Sequence, residues 1–131
     1  MSNFLENQNW RYATKQFDAS KKISSDDLNT LKEAVRLSAS SYGLQPYKVI
    51  IVENPELREQ LKGAAYGQAQ ITDASHLFIF ANDLNLDAAS VDKYINTISE
   101  TRGVPADALG GFSDMMKGVI SNLPVEAKHI W

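Results

Sequence analysis

Two short apolar runs constrain this chain more than any other feature. YKVIIV (residues 47–52) and LFIFA (residues 77–81) are continuous, rich in β-branched or aromatic residues, and bounded by turn signals. Both patterns read as buried strands. Nearly every other patterned stretch reads as helix, about half a dozen segments against a sheet that commonly needs four to six strands. Either a partner chain supplies further strands, or the sequence lacks a C-terminal part. The last stretch, PVEAKHIW, reads as a helix cut short and favours the second alternative. Residues 1–131 are therefore expected to form one domain, incomplete at its C-terminus.

The helices announce themselves through caps and periodicity. Residues 3–9 suit a short helix anchored by Phe4 and Leu5, whereas RYATKQFD (residues 11–18) reads as irregular or extended. Ser24 is placed to cap a helix, with Asp27 three residues on and Ile23 able to staple onto Leu28. Leu28, Leu31, Ala34, Val35 and Ser38 then share one face, and Gly43 and Pro46 end the run. Asn54 caps a further helix with Pro55 in its first position and Leu57 and Leu61 facing inward. AYGQAQITDAS (residues 65–75) reads as a polar loop or broken helical turn. Beyond Asn85 the pattern is helical, first through Val91, Tyr94, Ile95 and Ile98 to Gly103. A second stretch is interrupted at Gly110 and Gly111 and ends before Pro124; Met115, Met116, Val119 and Ile120 are its packing residues.

Composition excludes several function classes. Thirteen basic and 16 acidic side chains leave a net charge of -3, which offers no electrostatic basis for nucleic-acid binding. The sequence has no cysteine, so disulfides, thiolate metal sites and a cysteine nucleophile are ruled out. No apolar run approaches the roughly 20 residues of a membrane span. MSNFLENQNW does not read as a signal peptide, and a cytoplasmic location is expected. Neither a G-x-G-x-x-G fingerprint, a P-loop nor a G-x-S-x-G elbow occurs. Asp73, Ser75 and His76 are too close together to be read as a triad. His76 and His129 lack metal-like spacing, so no metal is expected, and His76 is read as a packed, hydrogen-bonded residue.

What remains is a set of polar clusters at the ends of elements: Arg11 with Lys15, Ser40 and Ser41 with Gln45, the glutamines Gln68 and Gln70, and the loop from Asp73 to His76. Cations with short hydroxyl and amide side chains suit a flat, phosphorylated, hydrogen-bonding ligand. In order and spacing, the blocks RYATKQF, LSASSYGLQPYKVIIV and YGQAQITDASHLFIFA resemble the flavin-dependent nitroreductases, specifically the first two-thirds of that family's domain.

The resemblance implies an α+β, nitroreductase-like fold, with helices around a central sheet of which about two strands lie in this chain. It also implies a homodimer binding FMN where the subunits meet, with NAD(P)H as co-substrate. Arg11 would grip the FMN phosphate. Lys15 would stand near the pyrimidine edge, where a fixed positive charge stabilises the reduced, anionic ring. Tyr12 would contribute its backbone or ring edge; Ala13 stands where the family usually has serine, so one hydroxyl contact is missing. Ser40 and Ser41 would reach the cofactor from the partner subunit, Gln45 would orient their loop, and Gln68 and Gln70 would approach the ring's polar edge. Phe112 aligns with an aromatic on the substrate side, although a helical core role is equally open. The implied activity is ping-pong electron transfer from NAD(P)H to nitroaromatic or quinone-like acceptors, with no side-chain acid or base assigned. The alternatives are a non-catalytic flavin-binding or dimerisation module, an inactive fragment of a nitroreductase, and a helical protein without ligand.

Overall fold

The computed structural model describes residues 3–128, so His129 and Trp131 lie outside the described residues. Seven α-helices and two strands occur among them, in the order α1 (Phe4–Trp10), α2 (Ser25–Leu37), β1 (Tyr47–Val52), α3 (Pro55–Ala64), α4 (Gln70–Asp73), β2 (Leu77–Asn82), α5 (Ala88–Arg102), α6 (Gly110–Asn122) and α7 (Val125–Lys128). The strands pair antiparallel as a two-stranded sheet. The chain divides into two compact units: residues up to Asn29 with Ile51–Ile79, and Thr30–Ile50 with the chain from Phe80 onward. Both strands and α2 are shared between them.

In the first unit, local chemistry sets the helix starts. The Ser24 hydroxyl accepts from the Asp27 backbone N–H at 3.1 Å and donates to the Asp27 carboxylate at 2.7 Å. That closes a variant of the capping box in which the hydroxyl itself holds the acid. Asn54 caps α3 by accepting from Leu57 N–H at 2.8 Å, with Pro55 at the start of the helix. Helical spacing places Leu57 inward, but Leu57 is 44% exposed and Arg58 is buried in its stead. The anchors expected of α1 are uncovered as well, Phe4 at 71% and Leu5 at 68%.

The second unit carries most of the apolar core. Leu86, Val91 and Ile95 pack with Met116 and Ile120, joining α5 to α6. Leu44, Tyr94, Leu109 and Phe112 pack around them. Asp87 caps α5, accepting from Ser90 N–H at 2.9 Å, and Gly103 ends it in the left-handed region at φ 64°. Gly110 and Gly111 do not interrupt a helix; a 3-10 turn over Ala106–Leu109 runs straight into α6 at Gly110. The strands, expected to be buried, are only partly covered: Lys48 and Ile50 of β1 and Phe80 of β2 are exposed, and Val52 is the one strand residue that is buried among those described.

Two expectations follow. Met116→Ala should lose about 2–5 kcal/mol in urea unfolding, because Met116 is completely buried at the centre of the cluster. Hydrogen bonds from the Ser90 backbone and hydroxyl hold the Asp87 carboxyl below its ordinary range. The cap's charge therefore contributes stability above that range and loses it as pH falls through the lowered value. Asp87→Asn should flatten this acid limb of a stability–pH curve, and an unaltered limb would show that the cap does not titrate.

Candidate functional site

The N-terminal cations stand free. Arg11 ends α1, its backbone N–H donating to the Asn7 carbonyl at 3.1 Å, and its side chain is exposed, as are those of Tyr12, Ala13 and Lys15. Three other surface cations find a carboxylate three residues away, Lys21 with Asp18 at 3.5 Å, Arg36 with Glu33 at 2.9 Å, and Lys62 with Glu59 at 3.4 Å, whereas Lys22 and Lys32 make no ion pair among the described residues. Between Glu6 and Asp18 the sequence holds no acid. Accordingly, neither Arg11 nor Lys15 makes an ion pair or side-chain hydrogen bond among the described residues. Gln68 is exposed just before α4, and Gln70 is half-buried as its first residue. Both amide side chains are likewise without a hydrogen bond among the described residues. No hydrogen bond links these glutamines to Arg11 or Lys15.

The polar residues of the second unit are engaged within the chain. Gln45 donates its side-chain N–H to the carbonyls of Arg36 at 3.1 Å and Ser38 at 3.3 Å, pairing acceptors left over at the end of α2. Its backbone N–H donates to the Ser40 hydroxyl at 2.9 Å. Tyr42, Gly43 and Gln45 have φ of 53°, 78° and 44°, left-handed values on either side of Leu44 that cost energy at the two non-glycine positions. A Cβ at Gly43 would run into the Tyr94 hydroxyl. Ser40 is half-buried and Ser41 exposed. Phe112 meets Tyr42 edge-on, with ring centroids 6.4 Å apart at 67°, and packs against the α5–α6 core.

Each unit also holds a cavity. That of the second unit, about 550 Å³, is lined by Gln45, Tyr47, Lys48, Asn82, Lys93 and Tyr94, among others. Lys48 and Lys93 make no ion pair among the described residues. Sequence reading passed over both, and the one available hint was a lysine inside an otherwise apolar strand. The first unit's cavity, about 710 Å³, is lined by Lys22, Ser24, Glu53, Arg58, Ser75 and His76, among others. His76 Nδ1 lies 2.9 Å from the Ser75 hydroxyl and Nε2 lies 3.6 Å from the Glu53 carboxylate. Its side chain is 11% exposed, the packed residue expected from sequence. Of the residues expected to hold a cofactor, only Gln45 lines either cavity.

Solved structures give the first level of classification, a nitroreductase-like α+β fold. A Bacillus subtilis protein provisionally named as a nitroreductase superimposes with a TM-score of 0.80 at 22% identity, over 95% of this chain and 60% of the other. An Exiguobacterium sibiricum protein of the same provisional name, solved in complex with FMN, gives 0.73 at 21% identity over 98% and 61%. The sequence then gives the family itself. The nitroreductase family model matches residues 9–115, and the chain belongs to that family. YfkO of Bacillus subtilis (strain 168), provisionally named an NAD(P)H nitroreductase, is 37% identical over 82% of this chain and 50% of its own length. A Staphylococcus saprophyticus protein of the same provisional name is 44% identical over 66% of this chain and 40% of its own. The chain thus spans half or less of the length of these relatives.

The left-handed turn between α2 and β1 gives a direct test. Gly43→Ala should lower the unfolding midpoint, with a cost above about 1 kcal/mol from backbone strain plus the Tyr94 contact. Adding Tyr94→Phe to that variant should restore part of the loss; if it restores none, the contact contributes nothing.

Proposed function

We propose that this chain is the flavin-binding part of an NAD(P)H-dependent oxidoreductase that acts on nitroaromatic or quinone-like acceptors. The observation that carries this reading is the pair of exposed cations without counterions, Arg11 and Lys15, within the stretch matched by the nitroreductase family. These two cations stand in a stretch without acids and so offer donors ready for an anionic ligand. FMN fits the donor set: Arg11 for phosphate, Lys15 for the pyrimidine edge, and the unpaired amides of Gln68 and Gln70 for ring polar atoms. Tyr12 and Ala13 would offer backbone groups, and Ser40 and Ser41 would offer hydroxyls from the partner subunit of a homodimer. Gln45 would hold the serine loop through its bonds to α2. Bound FMN would supply two-electron transfer from NAD(P)H to the acceptor in ping-pong order. The side chains bind and orient it, and Phe112 would border the acceptor.

The second reading is a flavin-binding or dimerisation module without turnover. It is favoured by the chain's share of its relatives' length, half or less. Anaerobic addition of NADPH to the FMN-loaded protein separates the two, because bleaching of the flavin absorbance supports the reductase and persistent colour supports the module. Arg11→Ala should weaken FMN binding roughly 10- to 100-fold, the equivalent of about 1.5–3 kcal/mol for a charge-assisted bond. An unchanged affinity by flavin fluorescence would remove Arg11 from the site.

A further inference from the structure

Arg58 is the one charged side chain that is buried among the described residues, at 3% exposure. It has no carboxylate partner. Its guanidinium instead donates to three backbone carbonyls, from Nε to Ile71 at 2.7 Å, from Nη2 to Ala74 at 2.5 Å, and from Nη1 to Ser75 at 3.3 Å. A buried charge is retained only where its donors are met, and here the acceptors are one carbonyl of α4 and those of the two residues that follow it. Arg58 itself stands on a well-founded helix, with its backbone N–H donating to Asn54, the residue whose side chain caps α3. Gln70, with its unpaired amide, immediately precedes the first clamped carbonyl. The α4 backbone is further closed by the Ala74 N–H donating to the Gln70 carbonyl at 3.2 Å.

We infer that Arg58 is a positioning residue that fixes the α4 turn so that Gln70 presents its free amide to the flavin ring. The inference rests on the reading above that Gln70 meets the flavin. A planar guanidinium reaches three acceptors spread along a backbone, whereas a lysine ammonium is a single point and cannot grip all three. Charge alone therefore does not preserve the clamp, which makes Arg58→Lys the informative change and avoids the unfolding that a truncation to alanine invites.

The test compares the wild type, Arg58→Lys, Gln70→Ala and the double variant. Three quantities are measured: amide hydrogen exchange over residues 70–76 without flavin, FMN affinity by fluorescence quenching, and the absorption spectrum of bound FMN. Arg58→Lys should speed exchange at Ala74. It should also weaken FMN about 3- to 10-fold, and shift the flavin spectrum in the same direction as Gln70→Ala. The double variant should bind no more weakly than the worse single variant, because both changes remove one contact. Additive losses, or an unaltered spectrum in Arg58→Lys, would assign Arg58 to stability alone and overturn the inference. If Gln70→Ala leaves affinity and spectrum untouched, or the wild type binds no FMN, the underlying reading of Gln70 fails and the inference with it. A clear Gln70→Ala effect beside a silent Arg58→Lys refutes the positioning role while leaving the flavin reading in place.

Discussion

The last turn of a helix leaves carbonyl oxygens without intrahelical donors, and the Gln45 side chain supplies one at the end of α2. Its amide reaches back to the carbonyls of Arg36 and Ser38 while its backbone N–H turns to the Ser40 hydroxyl. Those bonds hold the chain in a tight reversal, and the left-handed angles at Tyr42, Gly43 and Gln45 are its consequence. Strain of this kind persists only where the surroundings over-determine it. Here the surroundings include the Tyr94 ring, whose hydroxyl occupies the space that Gly43 leaves open by lacking a Cβ. The turn thereby sets both the start of β1 and the approach of α5, on which the α5–α6 core is built.

The parts of the fold that were legible in the sequence are those decided within a few residues. Ser24 with Asp27, Asn54 with Pro55, and Gly103 each satisfy a helix end by local chemistry, and each does so in the structure. The two strands were legible for a similar reason, since a β-branched run has few other places to go. Burial was less readable. Helical spacing assigns Leu57 inward, yet Leu57 is exposed and Arg58 buried, because three carbonyls in and just after α4, more than ten residues further on, offer the guanidinium its acceptors. No periodicity rule contains that information. Gly110 and Gly111 were read as an interruption from propensity. Propensity costs only about 1 kcal/mol per glycine, and the chain passes from the 3-10 turn over Ala106–Leu109 into α6 at Gly110.

The candidate site was legible in its residue types and less so in their employment. All three glutamines are amides near element ends in the sequence, and only the resemblance sets Gln45 apart, as the one that would orient its loop. Structure separates them: Gln45 is bonded to α2, while Gln68 and Gln70 are unbonded among the described residues. The difference comes from chain geometry. Gln45 lies within reach of the orphan carbonyls of a preceding helix, whereas Gln68 precedes and Gln70 begins the short helix α4, in and just after which the carbonyls of Ile71 and Ala74 are already met by Arg58. Phe112 shows the same divergence between type and use, since its ring is held edge-on by Tyr42 against the core.

The two units are stabilised by different forces, and this bears on where a ligand would act. In the second unit, six of the seven buried hydrophobic residues gather, so burial is the main stabilising term there. The first unit has Val52 alone in that class and relies on polar links instead. These are the Arg58 clamp, the Ile23 N–H donating to the Ser75 hydroxyl at 3.0 Å, and the contact of His76 with Glu53. Net contributions from such bonds are small, about 0.5–1.5 kcal/mol each, so local opening is expected to be easier there than around Met116. That same unit carries Arg11, Lys15, Gln68 and Gln70, the side chains of the proposed site that lack partners among the described residues. A ligand that engaged them would add its binding free energy where the chain's own burial is thinnest. The first unit thus combines a thin apolar core with the unpaired side chains that the proposed function assigns to a ligand.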